Sequence, residues 1–277
     1  MGSVYALVAL GYTIIYRVTR IINFAQGEFV MLGGMLAYFF LTTLKLPLFI
    51  ACILSVLVVV ACGLLLERLA ISSSKKASVV SLIIITIGAA MFLRGLAGEL
   101  WGKDAVALPA FTSENSISFL GAAIQPQALW VIGTTIVFMV IFQLLLSKTL
   151  LGKGLTACSL NQRAAGIVGI NVRNMSLIAF GIAAALGAIG GIVIAPMTMV
   201  SFNSGVMLGL KGFVAAAMGG LSNQVGAVIG GFALGLLEAL AAGYISSAYK
   251  DAIALAIFFI FLIFQAKKLV AKEENEK

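Results

Sequence analysis

Between residues 49 and 66 the chain carries no charged side chain and one hydroxyl, Ser55, so every face of a helix built there is apolar. Such a segment has no side to turn to water, and its length suits a bilayer, whose core about 30 Å thick takes roughly 20 residues of helix. Comparable runs lie near 1–17, 28–44, 48–70, 78–98, 128–147, 174–200, 224–244 and 250–267. A shorter Gly-rich run at 206–222 reads as a re-entrant or broken segment that enters without crossing. Strands of a membrane barrel alternate apolar and polar residues over about ten positions, which 49–66 does not do. Composition agrees, at 62% apolar and 10% charged against about 45–50% and about 25% in soluble domains. The fold class is therefore all-α: a polytopic integral membrane protein with about eight transmembrane helices. These form a single transmembrane domain over 1–267, followed by a charged tail over 268–277.

The net charge of +8 does not point to nucleic acid, because the cations gather at the ends of apolar runs. Positive residues in that position hold loops on the cytoplasmic side. The rule places inside the 72–77 loop with Lys75 and Lys76, the 148–173 loop with Lys148, Lys153, Arg163 and Arg173, and the tail with Lys267 and Lys268. It places 99–127, with Glu99, Asp104 and Glu114, outside. Counting back puts Arg17 and Arg20 inside and the N-terminus outside. The opening segment has no basic stretch before its apolar residues and no small-residue cleavage pattern, so it reads as a retained helix. It is short for a span, and the chain is expected to begin within that helix. Cys52 and Cys62 lie ten residues apart on one helix, roughly 15 Å by helical rise, too far for a disulfide. Cys158 stands alone in the basic loop.

In lipid, helices associate by close van der Waals contact, so small residues every four positions mark faces where backbones approach. One row is Ala183, Gly187, Gly191 and Ala195, ending at Pro196; another is Gly231, Gly235, Ala239 and Gly243, led by Gly226 and Gly230. Tight packing explains both. The tetrapeptide Val-Met-Leu-Gly occurs at 30–33 and 206–209, each time after an Asn and a Gly: Asn23 and Gly27, then Asn203 and Gly205. Chance is one explanation. The other is an internal repeat, since Gly-interrupted segments in both halves of a membrane chain point to repeats and to a translocation path.

Polar groups inside apolar runs need a reason. Asn23 and Gln26 have the spacing of a capping box, and Glu28 in the first turn of the next helix would complement its dipole; gating is the alternative role. Glu67, Arg68 and Arg94 lie close to the ends of the spans as read here, where long side chains snorkel to the headgroups, so they are expected to be interfacial anchors. Glu238 lies about one turn past the centre of 224–244, where an unpaired carboxylate costs at least about 2.5–3.5 kcal/mol. Lys211 is the nearest candidate partner by segment order, as a structural ion pair or as a substrate contact.

In the basic loop, Leu160, Ala164, Ile167 and Val168 share one face of a short amphipathic helix, suited to the headgroup layer of membrane lipid or to a docking partner. The run 157–172, Ala-Cys-Ser-Leu-Asn-Gln-Arg-Ala-Ala-Gly-Ile-Val-Gly-Ile-Asn-Val, resembles the cytoplasmic coupling loop in permease subunits of bacterial branched-chain amino acid ABC importers. Residues 22–28, Ile-Asn-Phe-Ala-Gln-Gly-Glu, are similar to that family's signature Asn-Phe-Ala-His-Gly-Glu. The stretches 209–220, 226–231 and 247–252 are similar too, so the likeness covers nearly the whole chain. It is most like the first of the two related permeases such systems use. Two departures stand out: Gln26 replaces the usual His, and the family usually has more residues before the segment at 2–7.

The resemblance implies a multi-pass permease of the bacterial plasma (inner) membrane. It implies a second permease subunit, two cytoplasmic ATP-binding subunits, and a periplasmic or lipid-anchored substrate-binding protein that delivers leucine, isoleucine or valine. Arg163, Ala164, Ala165, Gly166 and Gly169 would belong to the helix seated on an ATPase. Asn23, Phe24, Gln26, Gly27 and Glu28 would be signature residues with a gating role. No cofactor is expected on this chain, ATP acting through the partners, and no Gly-x-x-x-x-Gly-Lys-Ser/Thr phosphate loop occurs in it. Related permeases for urea, short amides or other amino acids remain alternatives. A channel or ion-coupled transporter would need more ionisable groups in the spans than Lys211 and Glu238. An enzyme would need a catalytic constellation that a chain without histidine does not offer.

Overall fold

The computed structural model describes residues 1–74, 77–112, 115–119, 122–253, 255–256 and 258–259. Lys75, Lys76, Glu114, Lys267, Lys268, the 268–277 tail and the end of the 250–267 run lie outside the described residues.

Five of the ten described α-helices start where the sequence supplies a side-chain acceptor for free amides. Ser78 caps α4 (Val79–Trp101) by accepting from the Ser81 amide, and Thr149 caps α6 (Leu150–Leu160) through the Gly152 amide. Asn161 caps α7 (Gln162–Ile167), Asn171 caps α8 (Val172–Ile194) and Asn223 caps α10 (Gln224–Tyr244). The others are α1 (Gly2–Thr19), α2 (Gln26–Thr42), α3 (Leu48–Leu65) with a π-helical extension at Leu66–Ile71, α5 (Pro126–Lys148) and α9 (Ser204–Met218). A small antiparallel hairpin, β1 (Ile117–Phe119) with β2 (Ala122–Ile124), precedes α5.

Among the described residues, five helical stretches are long and apolar enough to cross a membrane: Leu48–Ile71, Val79–Trp101, Pro126–Lys148, Val172–Ile194 and Gln224–Tyr244. By length and composition these are the spans of a multi-pass membrane protein. Their burial ranks them by position: 72% of the apolar window of α8 is buried against 11% of that of α4, so α8 is central and α4 peripheral. At the very centre lies α1, buried almost throughout, with α2, α5, α6, α8, α9 and α10 around it.

The small residues do what lipid packing asks of them. A Cβ on Gly187 would press on Phe29 and one on Gly191 on the Val30 carbonyl, so that row receives α2. Gly231 and Gly235 receive α1 at Ala6 and Gly2, while Gly226 and Gly230 receive α9. The second row stops short of its expected length, because Ala239 is exposed and a Cβ on Gly243 would meet nothing. The first row also ends early: α8 stops at Ile194, and residues 195–203 turn back, tied to the loop before β1 by paired backbone hydrogen bonds of Val106 with Val200, both 2.8 Å.

Contact registers give the helix directions. Gly235 lies by Gly2 and Gly231 by Ala6, so α10 runs antiparallel to α1; Gly190 lies by Val4 and Leu7, and Ala183 meets Gln26 opposite Gly11, so α8 does too. The two helices therefore point the same way. The stretch 195–223, α9 included, must carry the chain back along the bundle, which differs from a segment that enters without traversing. A second consequence concerns α2. Its first residue packs opposite the middle of α1, so 20–25 doubles back and the α2 N-terminus opens inside the bundle.

Candidate functional site

Two clusters of charged side chains lie inside the bundle. At the first, Glu28 Oε1 accepts from Arg94 Nη2 at 2.6 Å and Nε at 3.2 Å, a two-point contact that fixes the guanidinium plane. Glu28 is 1% exposed and its Oε2 has no hydrogen-bond partner. The pair borders a cavity of about 340 Å3 walled by Phe24, Ile87, Met91, Val206 and Leu210, with Tyr12 at its back. Arg94 is not the interfacial anchor the sequence suggests. The helix continues to Trp101, and α2 places Glu28 at the depth of Arg94, so the cation meets a carboxylate instead of snorkelling.

Of residues 23–28, Phe24 and Glu28 line that cavity, and the others hold the helices around it. Gly27 is needed because α2 and α9 meet backbone to backbone: a Cβ there would lie 2.7 Å from the Gly209 Cα and closer still to the Gly205 carbonyl. Both copies of Val-Met-Leu-Gly thus fall near the starts of two helices that touch. The capping box does not form. Asn23 Oδ1 accepts from Ala25 N (3.1 Å) in a local turn, and Gln26 Nε2 crosses to donate to the Ala183 carbonyl of α8 (2.9 Å). The Phe24 amide donates to Thr86 Oγ1 (3.2 Å), and its ring rests on Phe213, centroids 5.8 Å apart.

At the second cluster Lys211 Nζ donates to Glu238 Oε1 (2.7 Å), Asp251 Oδ1 (2.6 Å) and Tyr5 OH (3.2 Å), and Tyr5 donates to Glu238 Oε2 (2.6 Å). All three ammonium protons and both Glu238 oxygens are thereby used. Lys250 Nζ stands 3.9 Å from Glu238 Oε1, which balances the second carboxylate. Tyr5 and Asp251 are members that sequence reading missed. Asp251 follows Lys250 at the start of an apolar run and looks like an end anchor, and Tyr5 carries no charge to flag its depth. Glu67, read as an anchor, is also buried at 1% and faces Ser176 and Arg173 of α8.

The third feature is the loop from α5 to α8. It forms two helices rather than one, because Asn161 breaks the run and accepts from the amides of Arg163 (2.9 Å) and Ala164 (3.1 Å). Leu160 therefore shares no helix with Ala164. Arg163, Ala164, Gly166 and Gly169 are exposed, with Gly169 at φ 90°, while Ala165 turns inward. Ile167 is 87% and Val168 75% exposed, an apolar tip standing clear of the bundle. Its base is bound to the end of α1: Arg20 Nη2 donates to the Ser159 carbonyl (2.7 Å), Arg17 to Ser159 Oγ (3.4 Å), and Gln162 Nε2 to the Val18 carbonyl. Cys158, beneath, is buried, which pushes its thiol above the usual range. No group of three or more metal-ligating side chains occurs among the described residues.

Comparison with known proteins gives this architecture a family. The family described as the permease component of the branched-chain amino acid transport system matches residues 1–262. The high-affinity branched-chain amino acid transport system permease protein LivH of Salmonella typhimurium strain LT2 is 30% identical over 292 residues, covering 100% of this chain and 94% of the relative. LivH of Escherichia coli strain K12 matches at the same identity and coverage. The permease protein BraD of Pseudomonas aeruginosa is 30% identical over 290 residues, again 100% of this chain and 94% of its own. The match runs through the α2 signature, the exposed α7 and the α9–α10 pair, and the chain belongs to the branched-chain amino acid transport system permease family.

Proposed function

We propose that this chain is one of the two permeases of an ABC importer for leucine, isoleucine and valine in a bacterial plasma membrane. A second permease completes the path, two cytoplasmic ATPases supply the work, and an external binding protein delivers the substrate. The chain itself hydrolyses no ATP. The observation that carries this reading is α7, whose apolar tip of Ile167 and Val168 is exposed while its base is bound to α1 and continues into α8. A six-residue helix cannot hold its own shape in water, so its setting between two bundle helices makes it a lever: force on the tip reaches α1 and α8 directly. Arg163 and the bare backbone at Gly166 suit an acidic groove approached closely.

The helix directions support a count of nine crossings. An outside N-terminus and an inside tail require an odd number of crossings, which eight spans do not give. Counting 195–223 as a return makes nine and reconciles the two ends.

Arg163→Glu and Gly166→Trp test the docking role. Each is expected to abolish ATPase association and transport while leaving the permease folded, since neither side chain packs on the bundle. Intact association and transport in both variants would remove α7 from the coupling role.

A further inference from the structure

We propose that the cavity beside Glu28 and Arg94 is an intramembrane subsite for the zwitterionic head of an aliphatic amino acid, its ammonium facing Glu28 and its carboxylate facing Arg94. The inference rests on the transporter reading and adds a place inside this chain where the substrate is held.

The cavity, about 340 Å3, lies within the range of small-molecule sites, roughly 300–1,000 Å3. Its charged wall has unused capacity on both sides. Glu28 Oε2 is buried beside Gly205 with no hydrogen-bond partner, and Arg94 spends Nε and Nη2 on Glu28 while Nη1 meets none among the described residues. The Arg94 side chain is 28% exposed, toward the cavity it lines. The rest of the wall is aliphatic or aromatic, with Phe24, Ile87, Met91, Val206 and Leu210, and the last four are themselves partly exposed, so the cavity opens at the outer face of the chain.

Charge decides the class of ligand. The pair is neutral as a unit and sits among apolar membrane helices, so a lone cation or anion would bring in an uncompensated charge, which the hydrocarbon disfavours. A zwitterion brings one charge of each sign, on neighbouring carbons, to a wall that presents the complementary two. It converts one ion pair into a four-membered alternating cluster without changing the net charge. The aliphatic side chain then points at Met91 and Leu210, where a polar one would lose its hydrogen bonds.

The test is equilibrium binding of tritiated L-leucine to the assembled complex of permeases and ATPases in nanodiscs, without binding protein or nucleotide. Saturable binding is expected, with isoamylamine and 4-methylpentanoate, which lack the carboxylate and the amine, competing at least about tenfold more weakly than leucine. The double variant Glu28→Gln/Arg94→Met leaves no unpaired charge, so it assembles, and it is expected to lose at least about tenfold in leucine affinity. Met91→Trp, which keeps both charges and fills the cavity from its rim, gives the same loss and covers the case of a double variant that fails to fold. Wild-type complex without a saturable site, analogues that compete as well as leucine, or wild-type affinity in these variants would each overturn the subsite. Association with the ATPases and uptake driven by the binding protein are scored separately: a complex that assembles and transports but holds no leucine loses the subsite alone.

Discussion

Glu28–Arg94 and Lys211–Glu238 are both carboxylate–cation pairs buried in one helix bundle, and they differ in what surrounds them. Lys211 has three acceptors and Glu238 has a donor on each oxygen, with Tyr5 closing the ring. Nothing is left for a ligand. Glu28 has an unpaired oxygen, Arg94 is partly exposed, and a cavity lies against both. Desolvating a charge costs several kcal/mol unless partners replace the lost water, so the closed cluster acts as a bolt joining α1, α9 and α10. The open one carries an unmet demand of the kind a transport path uses.

The largest effect should come from breaking the bolt. Lys211→Met leaves Glu238 buried without its cation, and the expected loss is about 3–5 kcal/mol in denaturant unfolding in bicelles. Adding Glu238→Gln should recover most of it. Arg94→Met leaves Glu28 in the same formal position, yet the cavity admits water, so the expected loss is smaller, about 1–3 kcal/mol. Equal losses at the two sites would erase the distinction between closed and open clusters. Tyr5→Phe removes two hydrogen bonds with charged groups, the one it donates to Glu238 and the one it accepts from Lys211, and should cost about 1.5–3 kcal/mol in the same assay, with transport retained because Tyr5 lies away from the cavity.

Much of the bundle was legible because an apolar run of membrane length has one stable solution. Lys211 and Glu238 could be picked out by depth alone, since both fall well inside apolar runs. Arg94 reads as an anchor when depth is taken from a span ending at 98, but the helix runs to Trp101. Glu28 follows a polar stretch that reads as a surface cap, and only the tertiary fold shows that α2 begins opposite Gly11 in the bundle interior. Spacing puts Gln26 in a capping box, but its partner, the Ala183 carbonyl, is 157 residues away. A local pattern cannot register a competitor that distant. The split of α6 from α7 was written in Asn161, a strong N-cap residue, and could have been read.

The most direct test of the transporter reading is leucine uptake into proteoliposomes holding this chain, its partner permease and the two ATPases, with the binding protein outside and ATP inside. Accumulation that requires ATP hydrolysis, and that stops when Arg163→Glu and Gly166→Trp are introduced, is the expected result. Leucine flux through this chain without ATPases, at a rate indifferent to ATP, would contradict it.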